Sequence, residues 1–563
     1  MMRSDFSAGG LLLLAFVLGA GFCEGADAGA PPAPSGGGRA STYYVDFKDG
    51  VDSNDGRSQT TPWRHCPGDA SAAFVSKTTI LGAGDTVRFK GGVHYESTIH
   101  LIFNGAPGAP ITYDGNSLAD WGKGKAVIDG ENINDDARRY GFQTDTSVSY
   151  VVIRNFELTR LGGVPNLQDY VTNKQQLPYS VGYGVYLRDA TQVEIRDCYF
   201  HELGVWTNGP PASFRTGLGG FGIYAFGVDG LTVSNCEFTR MEKGIRISPG
   251  QYGKNKSARR VVISDCNFHH YMRWLIELSS SANNTTLDDI TVSHCQFHDF
   301  TEYDRVNWKG AGSNPHTDGI ILGVSNYRNR TYGVVRLHSN FFYQNATKGG
   351  GTAMIFLTGM GGNVQIYNNV FVNSLHGDGA IYVQDGPYEG VDTPINFEIY
   401  NNTFYDATYA IMLRTVTKGC DVDKGDIKIL NNLFYKATPD AAFSVMIYDT
   451  KSSPKVMDYN CYFTPRADQY VMLRALPSGK GYATLAQAKS DWGWEPHGIL
   501  ADPKFVDISL GIGMNSNLND LHLMAGSPCM NAGTNLSHRF TVDKDNQPRS
   551  PSQGWDIGAY SVK

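Results

Sequence analysis

Apolar and polar positions alternate most regularly between residues 151 and 463, where one short phrase recurs ten times. It reads VVIRNFEL at 151, VEIRDCYF at 193, LTVSNCEF at 231, VVISDCNF at 261 and ITVSHCQF at 290. It continues as VRLHSNFF at 335, VQIYNNVF at 364, FEIYNNTF at 397, IKILNNLF at 427 and VMDYNCYF at 456. Each copy predicts a strand of period two, a polar turn residue and a short second strand. The shortest spacings between copies are 29 to 33 residues, which predicts a solenoid whose repeats bury their apolar faces only against neighbours.

Stacking the copies puts like residues in columns. The last position reads Leu158, Phe200, Phe238, Phe268, Phe297, Phe342, Phe371, Phe404, Phe434 and Phe463. Two residues earlier stand Phe156, then Cys198, Cys236, Cys266 and Cys295, then Asn340, Asn369, Asn402 and Asn432, then Cys461. Parallel coils about 4.8 Å apart produce such columns, and asparagine amides in a row can satisfy one another. The expected fold is all-β: a single-stranded right-handed parallel β-helix (a solenoid) with an N-terminal cap and a C-terminal tail.

The flanks divide as follows. Residues 1–26 carry an Arg, an apolar run at 11–18 and small residues, the pattern of a secretory signal too short to span a bilayer. Residues 27–41 are a Pro/Gly-rich leader, 42–150 the cap and first coils, 151–465 the repeats, and 466–563 the last coils and tail. One helix is expected, at Thr484–Asp491. No other run is apolar enough to cross a membrane. The 65 glycines and 18% charged residues suit many tight turns, and a net charge of −7 argues against nucleic acid as a partner. Outside the signal there are eight cysteines. An exported chain invites disulfides, but ladder cysteines that point the same way read as buried thiols, and no spacing suggests zinc.

Insertions at about 159–182, 201–220 and 298–318 fall at one corner of the coils, the place where a binding face is expected. Trp206 and Trp308 within them are candidates to stack on sugar rings; the alternative is that they pack the loops together. In the first strand of each coil (GVYL at 184, GIYA at 222, GIRI at 244, LIEL at 275) the third position should face a groove. That column runs Tyr186, Tyr224, Arg246, Glu277, Ile321, Phe356, Tyr382 and Met412. Two residues on come Arg188, Phe226, Ser248, Ser279, Gly323, Thr358, Gln384 and Arg414. Charges in mid-strand are unusual in a parallel sheet, so Arg246 and Glu277 on adjacent coils are either a stabilising pair or part of a site. His316 and Asp318 open the GIIL strand after the longest insertion, near Lys243.

The phrases at 42–130 and ADPKFVD, LHLMAGSPCMNAG and WDIGAY near the end resemble secreted bacterial β-helix proteins of the pectate lyase-like superfamily that act on polysaccharides. H-T-D-G-I at 316–320 is similar to the N-T-D-G motif of polygalacturonase-type glycosidases, which implies a catalytic Asp318; Thr352–Ala353 stand where that family has two aspartates. E-L-S-S-S-A-N-N at 277–284 resembles the calcium-binding strand of chondroitinase B and alginate lyases, with Ser279 in place of that family's lysine base.

Glu277 and Asp318 should have Cα atoms roughly 11 Å apart, compatible with the ~6.5–9.5 Å carboxylate separation of inverting glycosidases. The leading expectation is a secreted, monomeric, cofactor-free inverting glycoside hydrolase that binds a polysaccharide through Tyr186, Arg188, Tyr224, Trp206, Trp308, Tyr382, Gln384 and Arg414. Glu277 and Asp318 would be acid and base, with His316, Arg246 and Lys243 beside them. The alternatives are a lyase or uronate epimerase, with Lys243, His316 or a tyrosine as base and Arg246, or Ca²⁺ on Glu277 and Asp318, as neutraliser, and a non-catalytic carbohydrate-binding or adhesin β-helix.

Overall fold

The computed structural model describes residues 40–562 except 134–137, 164–180, 205–219, 251–256, 271–272, 280–283, 300–316, 324–329, 344–350, 359–361, 375–378, 386–394, 415–425, 438–442, 448–453, 466–472, 476–479, 483 and 509–519. Residues 1–39, which hold the expected signal and most of the expected leader, most of the three insertions, Trp206, Trp308 and His316 therefore lie outside the described residues.

Each coil places one strand in each of three long parallel sheets of 14, 13 and 13 strands. Phe221–Phe226 lies in the second sheet, Asp229–Ser234 in the first and Glu237–Thr239 in the third, before Lys243–Ser248 starts the next coil. The first sheet begins at Thr42–Val45, which pairs with Thr86–Phe89, in the segment expected to hold the cap and first coils. A short helix at Phe74–Thr78 was not foreseen. The helix expected at Thr484–Asp491 is Leu485–Trp492, with Thr484 as its N-cap and Gly493 (φ 71°) after it. No described helix is long and apolar enough to cross a membrane.

In all ten copies the polar turn residue sits at the corner between the first and third sheets with φ between 48° and 60°. This column is Asn155, Asp197, Asn235, Asp265, His294, Ser339, Asn368, Asn401, Asn431 and Tyr459. Asn and Asp enter that left-handed region more readily than other L-residues, hence their frequency there. Inside the corner the phenyl rings stack from Phe200 to Phe434 with centroids 4.6 to 5.1 Å apart. The second-sheet strands start over these rings. A Cβ on Gly222 would lie 2.6 Å from both the Phe238 ring and the Gly244 carbonyl.

The last copy departs from expectation by one residue. Leu433 pairs with Cys461 and Phe434 with Tyr462, so Tyr462, not Phe463, ends the aromatic ladder. Asn460, not Cys461, ends the asparagine column. There Asn432 Nδ2 donates to Asn460 Oδ1 at 3.1 Å, and Asn460 Nδ2 donates to Glu495 at 2.7 Å. The Tyr462 hydroxyl also donates to Glu495, at 2.7 Å, which accounts for a tyrosine at this end of the stack.

In the other direction the ladder passes from Asn340, which accepts from the Cys295 amide at 3.0 Å, to the cysteines. Their thiols donate to main-chain carbonyls, as Cys236 does to Ser234 at 3.3 Å. All seven described cysteines are buried free thiols. Burial pushes Cys198, Cys236 and Cys266 well above the usual thiol range, which makes them unreactive.

The C-terminal tail runs back over the coils. Leu521, Leu523, Cys529, Ile557 and Ala559 pack with Val370, Val372, Tyr405 and Tyr435 of the third sheet. The corner column grips the tail: Asn368 Nδ2 donates to Val542 O, Asn401 Nδ2 to Asp556 O and Asn431 Nδ2 to Thr534 O. Arg549 donates to Asn368 Oδ1, and Arg539 to the buried Glu398 at 2.5 Å.

Candidate active site

Second-sheet strands alternate as predicted. Val185, Ile223, Ile245, Ile276 and Ile320 enter the core. Tyr186, Tyr224, Arg246, Glu277, Ile321, Phe356, Tyr382 and Met412 pair coil by coil on the outer face. The next column holds until a bulge after Leu357, where Thr358 pairs with Asp385. Gln384 is therefore displaced from the place expected of it.

Much of this face is packed rather than open. Tyr224 lies with Phe221 and Phe226, with Tyr186 beside them. Tyr382 is 2% exposed, stacks on Phe356 at 5.1 Å and accepts from Arg414 at 3.4 Å. Tyr186, Arg188, Gln384 and Arg414 are half-buried.

The charged centre is a buried cluster on two adjacent coils. Lys243 Nζ donates to Glu277 Oε2 at 2.8 Å. Arg246 Nε stands 3.2 Å from Glu277 Oε1, and Ser279 Oγ donates to the same oxygen at 2.5 Å. The Lys243 ammonium lies 4.4 Å from the Trp274 ring centroid and 5.1 Å from that of Phe221. Trp274's ring also carries Arg273 at 3.9 Å, and Arg273 reaches Glu242 at 3.4 Å. Glu277 and Lys243 are 2% and 5% exposed.

Burial alone would raise the Glu277 pKa, but the charges of Lys243 and Arg246 outweigh it and hold the group at about 2. Glu277 is thus a fixed anion. Burial pushes the Lys243 pKa below that of an ordinary lysine, with the Glu277 charge opposing. Asp318 is fully buried, in register with Trp274 and three residues before Ile321, the partner of Glu277. Its Oδ1 accepts the Ala353 amide at 2.9 Å.

The structure thus brings together Lys243, Arg246 and Glu277, with Asp318 one coil on. Phe221, Glu242, Arg273 and Trp274 had been missed. They lie at or next to the corner between the third and second sheets, where no phrase repeats.

Both Glu277 oxygens are engaged by cations and a hydroxyl. Among the described residues no three His, Cys, Asp or Glu side chains are grouped to hold a metal.

Three parallel sheets wound coil upon coil, with a charged cluster on one outer face, define a parallel β-helix. Residues 111–309 and 222–434 match the family described as the right handed beta helix region, and the chain belongs to that family. No curated protein matches it in sequence. Distantly similar solved structures include the GH136 lacto-N-biosidase from Eubacterium ramulus (13% identity, 82% of this chain, 67% of that one, TM-score 0.45). Two others are pectate lyase Pel9A (14%, 93% and 97%, 0.43) and XylC in complex with xylose (11%, 92% and 98%, 0.49).

Proposed function

We propose that the chain is an exported carbohydrate-active enzyme that cleaves an acidic polysaccharide at the Lys243–Arg246–Glu277 cluster, by β-elimination. The observation that carries this reading is the pair of cations set against Glu277, Lys243 at 2.8 Å and Arg246 at 3.2 Å. A carboxyl held at about 2 between two cations has no proton to donate at neutral pH. The inverting pair expected from the sequence would then need Asp318 as its acid and a very weak base in Glu277.

Arg246, half-buried beside Glu277, is the cation placed to meet a uronate carboxylate. Lys243, with its pKa lowered by burial, is the group best suited to act as base. After giving up its own proton to solvent, it would take the proton from C5 of the uronate. The C5–H electrons become the C4–C5 double bond as the bond from C4 to the glycosidic oxygen breaks, and that oxygen receives a proton from water. Arg246 would hold the uronate carboxylate, and Glu277 would orient Lys243 and Arg246. This favours the lyase or epimerase alternative over the hydrolase.

The test is a panel of pectic, alginate and glycosaminoglycan chains, read both for unsaturated uronate by absorbance and for new reducing ends. Unsaturated product is expected, reduced at least ~10²-fold in Lys243→Ala. Reducing ends without unsaturation would overturn elimination in favour of hydrolysis. No product from any glycan would overturn the enzymatic reading.

A further inference from the structure

The tail meets the coils along the left-handed corner column, and the contact is not uniform. Asn368, Asn401 and Asn431 each bond to the tail. On the two preceding coils the corner residues are His294 and Ser339. Over them hangs the tight turn at 543–547, closed by the Asp543 amide on Gln547 O and the Asn546 amide on Asp543 O. The turn reaches the coils through Asn546 Nδ2, 3.3 Å from His294 Nε2. Between turn and corner lies a cleft of about 470 Å³, within the usual range of small-molecule sites.

Its walls combine apolar surface with both kinds of polar group. Phe341, Leu521 and Tyr560 line it, with Lys544, Asp545 and Asn546 on the overhanging turn. The Asp545 carboxylate is held at 2.9 Å by His522. The Lys544 ammonium lies 5.7 Å from the Tyr560 ring centroid and makes no ion pair or side-chain hydrogen bond among the described residues. Asp543 and Asp545 lie close enough to offset its charge, so the cleft does not call for an anionic ligand.

We propose that this cleft is a binding site for one neutral sugar ring. Sugar hydroxyls both donate and accept, as a lining of ammonium, carboxylate and amide requires. The C–H face of a pyranose would lie against Phe341, with Tyr560, whose ring packs on His522 at 4.2 Å, beside it. The cleft sits at the corner between the first and third sheets, away from the cluster on the second sheet. The proposal therefore stands whether or not that cluster is catalytic.

Glucose, galactose, mannose and xylose would each be titrated into the full-length protein by saturation-transfer NMR and calorimetry. Asn546→Gly removes the amide at a position whose φ of 62° glycine accepts freely. Lys544→Met removes the ammonium and leaves its backbone bond to Ala559 in place. Saturable millimolar binding of at least one sugar is expected, weakened about tenfold or more in both variants and unchanged in Glu277→Gln. Absence of binding by all four sugars would overturn the proposal. So would full binding in both turn variants, or a loss in Glu277→Gln alone, which would put the sugar on the second sheet.

Discussion

Replacing Asn402 by Leu tests whether the internal asparagine column holds the coils together. Its Oδ1 accepts the Asn369 amide and the Asn369 Nδ2, both at 3.0 Å. Its Nδ2 donates to Ile366 O at 2.9 Å and Asn432 Oδ1 at 3.0 Å. Leucine fills a similar volume but makes none of these bonds. The acceptors retain other donors: Asn432 Oδ1 still receives the Asn402 amide. The donors fare worse. The Asn369 main-chain N–H loses its acceptor, and the Asn369 side-chain amide loses one of its two, keeping Leu337 O at 2.8 Å.

Two buried, unsatisfied N–H groups at ~1–3 kcal/mol each predict a loss of ~2–6 kcal/mol. Urea unfolding followed by tyrosine and tryptophan fluorescence should show a clear fall in midpoint, with an unchanged slope if the same surface is exposed. Asn402→Cys should cost less, because thiols occupy this column in earlier coils and bond main-chain carbonyls there. A leucine variant as stable as the parent would refute the reasoning, since it would mean the amides are not needed to satisfy one another.

Two further outcomes follow from the core. Burial raises the pKa of Glu495, at the end of the asparagine column, from 4.5 to about 7, against three donors that favour its charge. The folded state then binds its proton more tightly than the unfolded chain, so this group's contribution is full below about 4.5 and declines as pH rises towards 7. The difference is about 3 kcal/mol; urea midpoints from pH 4.5 to 8 should fall more steeply for the parent than for Glu495→Gln, and parallel profiles would remove the effect. Gly222→Ala would bring a methyl to 2.6 Å from the Gly244 carbonyl and the Phe238 ring, and should cost ~1–3 kcal/mol in the same assay; an unchanged midpoint would show that the coils can part at no expense.

The coils were legible because two signals agree in every copy, a period of two and a polar residue at a left-handed corner. Matching like residues then paired the strands correctly from Phe200 to Phe434. It failed at the last copy, where the terminal Phe463 was a better match to phenylalanine than Tyr462, and where Asn460 and Cys461 each belong to a type already present in the column. At the candidate site, Arg246 and Glu277 stood out because charge in mid-strand of a parallel sheet needs a partner. Trp274 and Arg273 gave no such sign. A bulge after Leu357 moved Gln384 out of line, and bulges leave no fixed trace in sequence. The tail's course was unreadable for a different reason: its bonds to Asn368, Asn401 and Asn431 join residues 103 to 174 apart, with no pattern to link them.

The tail changes how such a structure comes apart. A stack in which each coil touches only its neighbours can shed them singly from an open end, so it frays. Here the last coils cannot leave without releasing a segment that also holds Asn368, Asn401, Asn431 and Glu398. Loss from that end becomes one concerted event with a single high barrier, and the free end behaves as an interior. The same arrangement imposes an order on synthesis. The coils are complete before residues 527–562 have emerged, so a nascent or truncated chain holds every rung of the stack and still lacks the fastening that makes it durable.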